Sequence, residues 1–127
     1  SSPFSHLFWR EPSAIGLDVE VFSFEELERA FKEAREPYEK EHVTPYIWEN
    51  KTGVFHVCPK LKAPSEYARD YRLTVDYPED FMLMEEIYKA LYTNDNTIIS
   101  AREVIRFLDS HPEIAGLNAH CVQKAVR

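Results

Sequence analysis

Glycine is scarce in this chain. There are three in 127 residues, Gly16, Gly53 and Gly116, and they stand far apart. A loop that cradles phosphates needs clustered glycines, so that backbone N–H groups can close around the anion. No G-x-x-x-x-G-K-S/T stretch or substitute for one is present. Cysteine is scarcer still, with only Cys58 and Cys121. Two cysteines make no disulfide framework and no C-x-x-C metal spacing, so they read as reduced thiols in a cytoplasmic protein. Cationic excess is also lacking: 15 Lys and Arg stand against 22 Asp and Glu, for a net charge of -7. That balance argues against nucleic-acid binding and against an anionic membrane surface. A nucleotide held by a metal ion and a few local donors remains compatible with it. No apolar run approaches the roughly 18 residues of a membrane span, and no secretory signal is visible. The opening Ser1-Ser2-Pro3 has no initiator methionine, which points to a chain that begins inside a longer protein. Processing or a tag remnant would give the same opening.

What is present suits a globular domain. Hydrophobic residues reach 44% and aromatics 13%, too rich for a disordered chain and enough for a core in one domain spanning 1–127. Residues 1–15 show no clear period and read as an irregular lead-in or a strand remnant. Residues 17–22 alternate Leu17, Val19 and Val21 with Asp18 and Glu20, the pattern of a half-buried strand. Ser23-Phe24-Glu25-Glu26 is a capping box. It opens a helix with Phe24, Leu27, Phe31 and Ala34 on one face, ending before Pro37. Residues 38–49 read as helical, divided or kinked at Pro45. Val54–Val57 and Tyr71–Val75 are short strand candidates, joined by a polar surface loop. Pro78 starts a strong helix with Phe81, Met84, Ile87, Tyr88 and Leu91 at helical spacing. Residues 93–96 form a turn. Ser100 and Glu103 make a second capping box before Val104, Phe107 and Leu108. His111-Pro112 breaks that helix and a last short one follows, so 99–127 is a helical tail. Short strands alternating with helices predict an α/β fold.

Two stretches carry chemistry. One is Gly16-Leu17-Asp18-Val19-Glu20-Val21-Phe22, followed by Glu41-His42-Val43-Thr44-Pro45-Tyr46. The other is Arg72-Leu73-Thr74-Val75-Asp76-Tyr77-Pro78-Glu79-Asp80. Asp76 follows a β-branched run and precedes a helix, and in open α/β sheets ligands sit beyond the carboxyl ends of strands. A carboxylate there can hold a divalent metal or accept a ligand hydroxyl. It can equally cap the helix, with Glu79 completing a box, and the two roles are compatible. Nucleophilic catalysis finds no support. His56 and Cys58 share a strand face without implying a dyad, and a buried structural Cys58 is the plainer reading.

Taken together, R-L-T-V-D-x-P-E-D, entered from G-L-D-V-E-V-F and E-H-V-T-P-Y, resembles the C-terminal half of a cytidylyltransferase-like family. This is the family of the spore coat polysaccharide biosynthesis protein SpsF, related to the synthetases that make CMP-linked sugar acids. The resemblance runs from about Gly16 to about Asn118, and Phe107-Leu108, His111-Pro112-Glu113 and Leu117-Asn118 fit it. Tyr77 departs from it, because the family usually has a small residue there, often Thr. The family's Gly-rich phosphate loop and its mid-sheet metal-binding aspartate are absent, which implies that the nucleotide-binding half has been removed.

The resemblance implies the C-terminal part of a three-layer α/β/α nucleotide-diphospho-sugar transferase-like fold, with a short mixed sheet and helices. It implies a CTP-dependent transferase that activates a sugar or sugar acid and releases pyrophosphate, with this fragment inactive alone. Asp76 would be one of two aspartates holding Mg²⁺. Asp18, Glu20, Glu41, His42 and Arg72 would meet the sugar or a phosphate. Without the resemblance, Asp18 and Glu20 are equally the wet side of a strand. His42 is a surface or packing residue, since it has no second ligand at metal spacing, and Glu41 reads the same way. Arg72 is an ion-pair residue. A competing function is a non-catalytic interaction module, with Phe4, Phe8, Trp9 and the helical tail mediating contacts. A homodimer is compatible with both readings.

Overall fold

The computed structural model describes residues 6–9, 14–59 and 61–123. The chain divides into two compact units, which are described separately. The first takes in residues 1–10, 19–61 and 124–127; the second takes in 11–18 and 62–123. Phe4 and residues 124–127, where the tail was expected to continue, lie outside the described residues.

In the first unit, β1 (His6–Trp9) pairs antiparallel with β2 (Val19–Phe22), with Phe8 opposite Glu20 and Trp9 opposite Val19. The expected lead-in therefore contains a strand. The expected alternation in β2 is present with its faces reversed. Val19 and Val21 are exposed, while Glu20 and Phe22 are half-buried. Phe22 decides the side, because it packs against the core of Ala30, Ile47 and Phe55.

The helix α1 (Phe24–Glu33) begins at the Ser23–Glu26 capping box, with the Ser23 hydroxyl accepting from the Glu26 N–H at 3.2 Å. Its buried residue is Ala30; Phe24 and Phe31, expected on the inner face, are exposed, Phe31 at 86%. Pro37 and Pro45 each stand at the start of the next helix, giving α2 (Pro37–His42) and α3 (Pro45–Glu49). A proline at the first helical position has no N–H to leave unpaired, and its ring blocks the turn before it. Glu39 caps α2 from inside by accepting from the N–H groups of Arg35 and Glu36 at 3.0 and 3.1 Å. Asn50 closes the turn after α3 by bonding both the N–H and the C=O of Phe55.

In the second unit, α4 (Pro78–Leu91), α5 (Ala101–Ser110) and α6 (Pro112–Ala115) are followed by a 3-10 turn at Gly116–Asn118. The Ser100–Glu103 capping box opens α5 as expected. Leu83, Ile87 and Leu108 form the core, with Tyr71, Leu73, Met84 and Phe107 packed against it. The inward stripe of α4 thus runs through Leu83 and Ile87, and Phe81 and Tyr88 face out.

The expected strands at Val54–Val57 and Tyr71–Val75 do not form. Among the described residues the extended segment near Arg72 makes an isolated parallel bridge with Ile15 instead. Ile15 donates to the Tyr71 carbonyl at 2.9 Å, and Leu73 donates to the Ile15 carbonyl at 2.7 Å. Gly16 makes this approach possible. Its φ is +100°, and a Cβ there would run into the carbonyl of Leu73. The sheet of the described residues is therefore one antiparallel pair rather than a short mixed sheet. Helices and strands together still place the chain in the α/β class. No helix among the described residues is long and apolar enough to cross a membrane.

Candidate active site

The second unit contains a buried ionic cluster built from the sequence around Pro78. Because Pro78 occupies the first turn of α4, Tyr77 becomes the N-cap and Asp80 the third helical residue. A carboxylate at that position reaches back to N–H groups that the helix leaves unpaired. The Asp80 Oδ2 accepts from the backbone N–H of Asp76 at 2.9 Å and of Tyr77 at 3.0 Å. The expected cap, Asp76 with Glu79, is thus displaced by Asp80.

Asp80 is fully buried, so its charge needs a partner. Arg72 supplies a two-pronged one, with Nε to Oδ1 at 2.9 Å and Nη2 to Oδ2 at 3.0 Å. The same Nη2 reaches Asp76 Oδ2 at 2.8 Å, and Nη1 donates to the Gln123 side chain. The guanidinium lies 5.4 Å from the Tyr77 ring centre. That gives a structural reason for an aromatic residue where a small one was expected, since a guanidinium is attracted to a ring face. Asn118 closes the cluster by donating to Asp80 Oδ1 at 2.7 Å and to the Arg72 carbonyl at 2.9 Å. Its Oδ1 is buried with no hydrogen-bond partner among the described residues.

The Arg72 hydrogen bonds hold the Asp80 carboxyl well below the usual carboxylate range, against the opposing effect of burial; backbone and Asn118 donors assist. The paired aspartates correspondingly keep Arg72 protonated, with its own affinity for the proton raised by Asp80 first. One cation faces two carboxylates, so the cluster carries one excess negative charge. Asp76 is the member open to solvent, with its side chain 31% exposed. The arrangement presents one carboxylate, aimed and partly wet, beside a rigid helix start.

The expected site residues fall in both units. Arg72 and Asp76 come together in the second, which also contains Asp18, just ahead of β2. Glu20, Glu41 and His42 belong to the first. Glu41 and His42 are exposed at the end of α2. Immediately after them, Val43 has φ 69° and ψ -54°, and Thr44 donates to the His42 carbonyl at 2.8 Å. This is the strained form of the three-residue turn, rare even for unbranched residues. Asp80, Asn118 and Gln123 were not singled out from the sequence as site residues. The proline at 78 was the available signal for Asp80, because it fixes which residue stands third in the helix.

Over 91% of its length the chain superposes on a cytidylyltransferase from Leptospira borgpetersenii, with a TM-score of 0.69 and 27% identity, covering 47% of that chain. It is 38% identical over 86 residues to the spore coat polysaccharide biosynthesis protein SpsF of Bacillus subtilis, across 65% of this chain and 33% of that one. This chain is cytidylyltransferase-like. It is also 42% identical over 114 residues to an uncharacterized protein of Methanocaldococcus jannaschii, across 89% of this chain and 45% of that protein. No family profile matches the chain. This cytidylyltransferase-like chain spans less than half the length of each of these relatives.

Proposed function

We propose that the chain is the C-terminal half of a nucleotidyltransferase that activates a sugar or sugar acid with CTP and releases pyrophosphate. The parent would act in the cytoplasm, in cell-surface or spore-coat polysaccharide synthesis. Its three-layer α/β/α fold would take its helical tail from this chain. In the reaction, an oxygen of the sugar hydroxyl or phosphate attacks the α-phosphorus of CTP. A new P–O bond forms as the bond to the bridging oxygen of the β-phosphate breaks, and pyrophosphate leaves with that electron pair. A hydroxyl nucleophile gives up its proton to solvent.

The observation that carries this reading is Asp76, held at the start of α4 by Arg72 while most of that guanidinium's charge is met by Asp80. A magnesium ion takes oxygen ligands, keeps several waters and needs only one or two carboxylates. Asp76 fits as one such ligand: it is an oxygen donor, partly wet, in a cluster with one excess negative charge. Bound there, Mg²⁺ would supply charge neutralisation at the triphosphate. Arg72 aims the carboxylate, and Asp80 fixes Arg72. Asp18, Glu20, Glu41 and His42 are the proposed sugar contacts, and substituting each should raise the KM for the sugar.

The deciding experiment is pyrophosphate release by the full-length parent with Mg²⁺, CTP and a panel of sugar acids and sugar phosphates. Asp76→Asn should cut kcat at least about a hundredfold, as loss of several kcal/mol of charge stabilisation implies, with the fold retained. Full activity in a folded Asp76→Asn protein would remove the metal role.

A second reading, an interaction module, draws on the exposed Phe24 and Phe31 of α1. It predicts self-association through that face.

A further inference from the structure

Beside the ionic cluster, but made of different side chains, Glu79, His120 and Cys121 bring three donor atoms within 4.8 Å of one another. The imidazole Nε2 lies 3.7 Å from Glu79 Oε1 and 4.0 Å from Cys121 Sγ. We propose that these three residues form a binding site for a zinc-like divalent transition-metal ion, separate from the Mg²⁺ position proposed at Asp76.

The donor set selects the class of metal. Carboxylate, imidazole and thiolate together suit Zn²⁺ and its neighbours, whereas Mg²⁺ and Ca²⁺ take oxygen alone. A tetrahedral ion with bonds of about 2.0 Å to N and O and about 2.3 Å to S requires ligand atoms roughly 3.3–3.6 Å apart. The 3.7 and 4.0 Å separations lie within about half an ångström of that, a gap that side-chain rotations can close. Three protein ligands leave a fourth position for water. One carboxylate and one thiolate balance the two charges of the ion.

The backbone beneath the donors is already fixed. Glu79 is in the first turn of α4, next to buried Asp80. Asn118, two residues before His120, bonds Asp80 Oδ1 at 2.7 Å. Cys121 N–H donates to the Asn118 carbonyl at 3.0 Å, and Ala119 N–H to that of Gly116 at 3.3 Å. The segment carrying His120 and Cys121 is thus tied to the helix that carries Glu79. Little order remains to be imposed when an ion arrives. All three side chains reach solvent, which gives the ion a way in. The ion would clamp the segment after the 3-10 turn to the first turn of α4.

Cobalt(II) is the direct probe, because a cysteine ligand adds a thiolate-to-metal charge-transfer band in the near ultraviolet. Titration of the 127-residue chain should give that band at one equivalent, with Zn²⁺ abolishing it by displacement. Cys121→Ser should lose the band, and Cys58→Ser should keep it. His120→Ala and Glu79→Gln should each weaken binding at least about tenfold, as even outer-sphere losses do. In the unsubstituted chain, Zn²⁺ should also slow alkylation of Cys121, read by mass spectrometry, a measurement that needs no variant. The proposal is overturned if Co²⁺ gives no thiolate band, if the band survives Cys121→Ser, or if Zn²⁺ leaves Cys121 alkylation unchanged. None of these readouts involves nucleotidyl transfer, so the zinc site and the transferase reading stand or fall separately.

Discussion

The two units bury charge with different partners: in the first, buried Glu39 accepts from two backbone N–H groups and pairs with exposed Lys51. In the second unit both members of the pair are inside: Asp80 and Arg72 are buried and mutually paired, Asp80 is bonded to the backbone, and Asn118 is a third partner. Its core encloses Leu83, Ile87 and Leu108 in a ring of partly buried neighbours, while Phe81, Tyr88 and Ile98 stay exposed. In the first unit, a smaller core of Ala30, Ile47 and Phe55 leaves Phe24 and Phe31 in solvent, and Val43 is held in a strained turn. A buried ion pair is costly to form and stabilises little against an apolar substitute, so its presence needs a reason beyond stability. Here the pair is tied to the start of α4, and the same guanidinium holds Asp76 at the solvent edge. The first unit adds backbone strain at Val43, tolerated locally.

The sharpest way to break this contrast is to unpair the buried charge. Asp80→Asn leaves Arg72 buried without its main counter-charge and should cost about 3–5 kcal/mol, read from urea unfolding. Replacing both together, with Arg72→Met and Asp80→Leu, should recover much of that loss, because the uncompensated charge is gone. If the single variant is as stable as the parent, the pair is not holding α4. The pH dependence sharpens the point. The folded-state affinity of Asp80 for its proton is lowered, chiefly by Arg72. Its contribution is therefore fully present above the unfolded carboxylate value of about 3.9, and it is lost as pH falls below that value. Stability should decline in acid more steeply in the parent than in Asp80→Asn.

Gly16→Ala comes next. The new Cβ would meet the Leu73 carbonyl, in a backbone conformation with φ +100° that L side chains rarely adopt. A loss of about 2–3 kcal/mol is expected from strain of this kind. Because the bridge from Ile15 to Arg72 depends on this approach, the variant should also loosen Arg72, visible as faster hydrogen exchange at the Leu73 amide.

Much of this was legible beforehand, for a physical reason. Helix starts are local: Ser23 with Glu26, Ser100 with Glu103, and Pro78 act on atoms within four residues, and each opens a helix in the structure. Pro37 and Pro45, expected to end one helix and divide another, each open one too. Strands are not local. Tyr71–Val75 has the right residues for one, but a strand exists only where a partner runs alongside, and Ile15 supplies a single bridge. Faces are ambiguous where two apolar stripes compete. On α4, Phe81 and Tyr88 share helical spacing with Ile87, and only the packing of α5 chose Leu83 and Ile87. On β2, Val19 and Val21 alternate properly, yet Phe22 outweighs them. At the candidate site, Arg72 and Asp76 were visible as a motif. The joining of Asp80 to Asn118, 38 residues along, was not.

In the first unit the expected effects are smaller. Val43→Gly removes a β-branched residue from a positive-φ turn. Val43 is itself exposed, so little burial is lost. Relief of strain against the greater chain entropy of glycine should leave a net gain of up to about 1 kcal/mol, a rise of a few degrees in Tm. No gain would mean that neighbouring groups hold the turn without strain.

The smallest expected change in stability is at Phe31. Its side chain is 86% exposed on the outer face of α1, so Phe31→Glu should alter unfolding free energy by less than about 0.5 kcal/mol. Its effect on association should be larger. With Leu27, Ala34 and Val43, Phe31 lines a shallow apolar groove within the first unit. If copies of the chain associate through this face, sedimentation equilibrium of the parent should show a concentration-dependent dimer that the Glu variant lacks, since each dimer would bury two unpaired carboxylates. A monomer at every concentration in both proteins would take away the self-association reading. A dimer that survives Phe31→Glu would move the interface away from α1 and leave this groove as ordinary exposed surface.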